Sequence, residues 1–170
     1  MHRYHRIVWS EGLFLTPQHF QQWDLFHEAE LASRAELVRP YAWGVHALDI
    51  DREELSRGVF KIVSLTGILP TGVSVRVPDV DAPPPSLTFK DAFDVRADRL
   101  DIFVGLPSRR SGWANCQLPG DAAATSGEIR YVARSLAVPD ENNGRNERPI
   151  LRDEQNLRIL MSSDQRDSFY

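Results

Sequence analysis

One cysteine, Cys116, stands among 170 residues. It excludes an intrachain disulfide, so packing has to hold the fold, and a chain of this length can bury roughly two-thirds of its unfolded surface. A lone thiol also fits a reducing compartment. Long apolar runs are missing too. After the basic start Met1-His2-Arg3-Tyr4-His5-Arg6, the apolar stretch is only Ile7-Val8-Trp9 before Ser10-Glu11 interrupts it. A secretory signal needs roughly 7–15 apolar residues, and a membrane span needs about 18 or more. Nor is there an excess of positive charge: 20 Lys and Arg face 24 Asp and Glu, a net charge of −4 with a pI near 5.7. That balance argues against a broad phosphate-binding surface and against nucleic acid as a partner, leaving only local basic patches such as Arg109-Arg110. The expectation is a cytoplasmic protein without direct membrane insertion.

Motifs with a chemical mechanism are equally scarce. No G-x-x-x-x-G-K-[ST], G-x-G-x-x-G or G-x-S-x-G occurs, so neither a phosphate cradle nor a nucleophile elbow has a candidate segment. His27-Glu28 begins like a zinc-protease helix, but Leu31 stands where the second histidine would be needed. His2 and His5 have a ligand-like spacing on a terminus expected to be solvated. His19, His27 and His46 lack neighbouring cysteines or an acidic ligand cluster, and read as surface or partly buried imidazoles. Cys116 has no flanking base or helix N-terminus to lower its pKa and reads as a small packed residue. Glu53-Glu54 reads as a solvated pair in a polar loop. No catalytic, metal or cofactor-binding residue is expected, and the chain is not expected to be an enzyme.

What is present is mostly strand. Val73, Val75 and Val77 alternate with Ser74 and Arg76. The same period of two runs through Leu100, Ile102, Val104 and Leu106, and through Ile129, Tyr131 and Ala133, which predicts half-buried strands. Their outer faces would carry Arg76, Asp101, Arg130, Arg134 and Arg158. Residues 59–69 form a more continuous apolar run, expected to be covered on both faces, with Pro70-Thr71-Gly72 turning it into the valine strand. Residues 43–50 and 156–161 complete about six strands. Pro83-Pro84-Pro85 reads as a stiff connection and residues 141–146 as a polar loop. One helix stands out. Thr16-Pro17 supplies an N-cap hydroxyl and a first-turn proline, and Arg39-Pro40 ends the helix. At about 100° per residue, Phe20, Trp23, Phe26, Leu31, Leu37 and Val38 share an arc of roughly 140°, with the ion-pair spacing Glu30/Arg34 inside it. These elements predict a mainly-β chain: an antiparallel β-sandwich with one N-terminal amphipathic helix.

The segment "VWSEGLFLTPQHFQQWD", residues 8–24, is the most unusual. Its Trp and Phe side chains suit either a buried arm or a protein–protein surface, where aromatics carry binding energy and amides supply adaptable hydrogen bonds. It closely resembles the N-terminal signature of the TssK family (ImpJ/VasE) of type VI secretion baseplate subunits. The resemblance rests on Trp9, Glu11-Gly12, Leu13-Phe14-Leu15 and Pro17-Gln18-His19-Phe20-Gln21-Gln22. It continues through Trp43-Gly44-Val45, Leu55-Ser56-Arg57-Gly58, residues 67–72, the prolines at 83–85 and "DIFVGLP" at 101–107.

The resemblance implies a sandwich like the shoulder of siphophage receptor-binding proteins. Residues 1–40 would be an arm and helix packed on the sandwich and residues 41–170 the sandwich itself, together one shoulder domain. The family's helical bundle and head would lie outside this chain, and the uncapped ending at residues 164–170 reads as a chain that continues. It further implies a non-enzymatic adaptor that docks onto the TssF/TssG wedge. The full-length protein would be a homotrimer reaching the membrane-complex proteins TssL and TssM through the C-terminal region. Trp9, Glu11, Phe14, Leu15, Gln18 and His19 are the candidate partner-binding residues. The competing function is a carbohydrate- or ligand-binding sandwich module, for which Trp113, Asn115 and Arg109-Arg110 form a thin local candidate.

Overall fold

A computed structural model describes residues 4–90, 99–121, 129–164 and 166–169. In chain order the elements are α1 (Pro17–Val38), β1 (Gly44–Ile50), α2 (Arg52–Ser56), β2 (Val59–Phe60), β3 (Ile62–Ile68), β4 (Ser74–Val77), β5 (Leu87–Thr88), β6 (Ile102–Gly105), β7 (Cys116–Gln117), β8 (Tyr131–Val138), β9 (Arg148–Gln155) and β10 (Arg158–Met161). The mainly-β, antiparallel architecture with one long N-terminal helix is the one the alternation predicts. Among the described residues the strands form four small sheets, ordered β1-β3-β4, β10-β6, β2-β5 and β7-β8-β9, and none closes into a barrel. The pairing and α2 depart from the sequence reading in detail. The short β7 runs parallel to β8, pairing Cys116 with Tyr131 and Gln117 with Val132. Glu53-Glu54 lies in the first turn of the one-turn helix α2 rather than in a loop, because Asp51 caps it by accepting the Glu54 N–H at 3.1 Å.

Contacts within the chain divide it into two compact units, one of Met1–Gly44 with Ile68–Ser74, the other of Val45–Gly67 with Val75–Tyr170. In the second unit, Ile62 and Leu65 of β3, Val75 and Val77 of β4, Ala133 of β8 and Ile159 of β10 are buried together with Leu106, Ile129 and Leu157. Burying such a side chain stabilises the fold by about 1.5–3 kcal/mol. Ser74 and Arg76 face outward, as the period of two requires. Strand β3 is not covered on both faces, since Val63 and Ile68 are exposed. Arg130, expected on an outer face, is only 5% exposed. Its Nη1 donates to the Pro107 carbonyl at 2.8 Å and its Nε to the Tyr131 hydroxyl at 3.0 Å, so partners replace the lost water.

In the first unit, α1 begins and ends where the prolines dictate. Pro17 occupies its first turn, and Arg39, the residue before Pro40, has left the helical region at φ −143°, ψ 92°. The tip joining β3 to β4 belongs to this unit. The Leu69 N–H donates to the Val73 carbonyl at 2.8 Å and the Gly72 N–H to the Leu69 carbonyl at 2.8 Å. Gly72 sits at φ +83°, and a Cβ there would stand 3.0 Å from the Ala32 Cβ of α1, so glycine is what lets the tip lie close against the helix.

Candidate partner-binding surface

Residues 4–16 lead into α1 without regular structure apart from one turn, in which the Leu13 N–H donates to the Ser10 carbonyl at 3.2 Å and Gly12 takes φ +79°. The turn reverses the arm just before the helix. His19 then finishes the helix start from inside: its Nδ1 accepts the Thr16 backbone N–H at 3.2 Å and lies 2.9 Å from the Thr16 hydroxyl. A backbone amide can only donate, so Nδ1 is the acceptor in this contact. The arrangement is a capping box with histidine in the place usually taken by Glu or Gln.

Aromatic rings continue from this cap along the helix. Trp9 approaches His19 at 6.3 Å between centroids and meets Trp23 edge-on at 6.5 Å. Trp23 contacts His27 at 5.4 Å, and His27 contacts Phe26 at 5.3 Å. Side chains at positions i and i+4, such as 19/23 and 23/27, stack along one helix face. Beyond them a shallow depression is lined by Arg6, Phe26, His27, Glu30, Leu31 and Arg34. The Glu30–Arg34 pair predicted by spacing is present at 3.6 Å and exposed.

Of the six candidate residues, Trp9, Glu11, Phe14, Leu15 and Gln18 are exposed and His19 is half-buried. Phe14 is the most open of the aromatics among them, at 84%, and Trp9 stands at 51%. The arm therefore presents apolar side chains outward. Phe20 and Trp23, expected to be buried on the helix arc, remain 46% and 45% exposed, and α1 contributes no buried residue. The arc is also imperfect in the sequence: Glu30 and Arg34 interrupt it, and Leu25 lies off it. The uncovered surface is consequently wider than the arm alone. It exposes several large apolar side chains, Trp9, Phe14, Leu15, Phe20 and Trp23, on one unit of the chain.

The competing sugar-binding cluster is arranged differently from a groove. Asn115 Nδ2 donates to the Arg110 and Trp113 carbonyls at 2.9 and 3.0 Å, while its Oδ1 accepts the Arg110 N–H at 2.7 Å. All of these bonds close its own loop, so the amide is engaged in structure. Arg109 Nη2 donates to the Tyr131 hydroxyl at 3.3 Å. Among the described residues no group of three or more His, Cys, Asp or Glu is placed to hold a metal ion, and no helix is long and apolar enough to cross a membrane. His2 lies outside the described residues. Burial pushes the Cys116 thiol above its ordinary pKa, and the Asp153 carboxylate adds to the effect, which leaves it a poor nucleophile.

Among the described residues the chain is mainly β with an open aromatic arm, a surface of the kind protein-interaction modules carry. Comparison with known proteins supplies the family. Residues 19–170 match the model described as "Bacterial Type VI secretion, VC_A0110, EvfL, ImpJ, VasE", and the chain belongs to this family, the TssK family. It is similar to the type VI secretion system baseplate component TssK1 of Pseudomonas aeruginosa, with 34% identity over 160 residues. That alignment takes in 94% of this chain and 34% of the relative, so the chain spans about a third of the length of the curated protein it matches. Among solved structures, it resembles the crystal structure of TssK with a TM-score of 0.82 at 25% identity, over 97% of this chain and 36% of that one. The TssK–TssF–TssG baseplate subcomplex, solved by cryo-electron microscopy, has a chain with the same fold at TM-score 0.83 and 23% identity, over 99% of this chain and 54% of that one.

Proposed function

We propose that this chain is the wedge-docking part of a type VI secretion baseplate subunit: a non-enzymatic, cytoplasmic adaptor whose arm and α1 surface bind the TssF/TssG wedge. One observation carries the reading. In a chain of the TssK family, Trp9, Phe14, Leu15 and Phe20 of the family-like opening motif are open to solvent instead of packed inside. The relative's description as a baseplate component and the solved TssK–TssF–TssG subcomplex support the choice of partner. Residues 1–40 and 41–170 act here as one shoulder domain. The full-length protein is a homotrimer that reaches TssL and TssM through regions beyond the span matched here.

Substitution of the arm separates binding from folding. Truncating a buried Phe typically costs about 3–5 kcal/mol, whereas an exposed anchor can be removed with stability intact. Phe14→Ala should leave the melting temperature nearly unchanged and weaken capture of a purified TssF–TssG complex by about tenfold or more. Phe20→Ala, at a half-exposed helix position, should lower stability modestly and weaken capture as well. Undiminished capture by Phe14→Ala would remove the arm from the interface.

A further inference from the structure

We propose a second contact for the same adaptor: one face of the β8–β9 ribbon docks an acidic segment of the wedge that carries apolar side chains. The inference rests on the wedge-docking reading. Β8 and β9 pair antiparallel from Tyr131↔Gln155 to Val138↔Arg148. The root of the ribbon is anchored by buried Ala133, yet residues 134–137 and 148–153 are exposed on both faces. Two strands with neither face covered are marginal in water, so a ribbon this long gains from an external cover.

Directly opposed residues share a face, and alternate residues along a strand return to it. One face therefore collects Leu136, Val138 and Ile150 between Arg134, Arg148 and Arg152. Leu136 and Ile150 stand opposite one another and are both exposed. Arg134 opposes Arg152, a like-charge pair that weakens a sheet. Arg134 is relieved by Glu154, whose Oε2 lies 3.2 Å from its Nε. In a chain of net charge −4, an apolar stripe framed by Arg148 and Arg152, which have no ion pair among the described residues, selects carboxylates as its complement.

The mode of contact follows from the free edge. Β9 is the last strand in its sheet, and Pro149 within it has no N–H to offer another strand. The side-chain face, not backbone pairing, is what this ribbon presents. Its few side chains are too small a patch for a stable interface of ~1,200 Å² or more, so it acts as one of several contacts on the wedge.

The test is binding of the whole chain to a purified TssF–TssG complex, read as an affinity over a range of ionic strength. Arg148→Glu with Arg152→Glu should weaken binding by about tenfold and flatten its salt dependence, whereas Arg148→Lys with Arg152→Lys should retain most of it. Circular dichroism melts should show all three proteins folded, with the double Glu variant at least as stable as the unaltered chain, because both arginines are exposed and Arg152→Glu replaces a like-charge pair with Arg134 by an opposite-charge one. Leu136→Ser supplies an independent variant that removes apolar contact without touching charge, and should also weaken binding. Unaltered binding by the double Glu variant and by Leu136→Ser would overturn the ribbon contact while leaving the adaptor reading in place. A change in the chain's own association state by light scattering, with wedge binding intact, would overturn it in favour of a second copy as the occupant. Absence of binding by the unaltered chain would overturn the adaptor reading itself, and the ribbon contact with it.

Discussion

The rings of Trp9 and Trp23 meet edge to face, 6.5 Å apart at 89°, and so tie the arm to the helix that follows it. An edge-to-face pair contributes about 0.5–1.5 kcal/mol beyond the area it covers. A double-mutant cycle with Trp9→Ala and Trp23→Ala should return a coupling energy in that range, measured by urea unfolding. Additive single effects would mean that the arm is not held by this contact.

Gly72 should not tolerate a side chain. Alanine at φ +83° is strained by roughly 1–2 kcal/mol, and its Cβ would also press on Ala32. Gly72→Ala should therefore lower stability by at least that amount. Adding Ala32→Gly should restore only the steric part, since the backbone strain remains and a helical glycine costs about 1 kcal/mol. Full recovery in the double variant would show that crowding, not backbone conformation, selects glycine.

Arg130 holds the start of β8 to the segment after β6. Arg130→Met should cost about 1–3 kcal/mol, because the Pro107 carbonyl loses its donor inside the fold while the Tyr131 hydroxyl keeps only the Arg109 guanidinium. Arg130→Lys should recover little, as a single ammonium cannot replace the planar fork. A denaturant midpoint unchanged in Arg130→Met would refute this account of its burial.

Asp51 gives α2 an acid-sensitive start. Chiefly the Glu54 backbone N–H, and then the Lys61 ammonium at 3.2 Å, hold its carboxyl below the ordinary aspartate value. A carboxylate depressed in the fold contributes stability above its unfolded pKa and loses it as pH falls through the folded value. The Glu54 amide resonance should thus shift with a midpoint below that of an ordinary aspartate. In Asp51→Asn, which keeps an acceptor but no charge, that titration should vanish. A midpoint at or above the ordinary value would contradict the cap.

The Cys116 thiol should react slowly with iodoacetamide at neutral pH, and its rate should keep rising past the pH at which an ordinary cysteine levels off. Asp153→Asn should move that profile to lower pH by removing the second cause of the raised pKa. A rate profile matching free cysteine would contradict the packed environment.

The features legible in the sequence are those set within a few residues of themselves. Thr16-Pro17 and Arg39-Pro40 bound α1 because proline restricts its own φ and its neighbour's conformation wherever it stands. Val75 and Val77 face inward beside outward Arg76 because side chains alternate on any strand, and Gly72 turns the chain because only it accepts that φ at low cost. The opening motif was likewise enough to point to the family. Tertiary structure alone decided burial and pairing. Arg130 is buried because acceptors at Pro107 and Tyr131 converge on it, one of them 23 residues away. Phe20 and Trp23 stay about half exposed although the periodicity places them on the arc, and β7 lies parallel to β8 although its two residues carry no pattern of their own. Periodicity ranks which faces prefer to be covered, but what covers them depends on segments far away in the chain or on another protein.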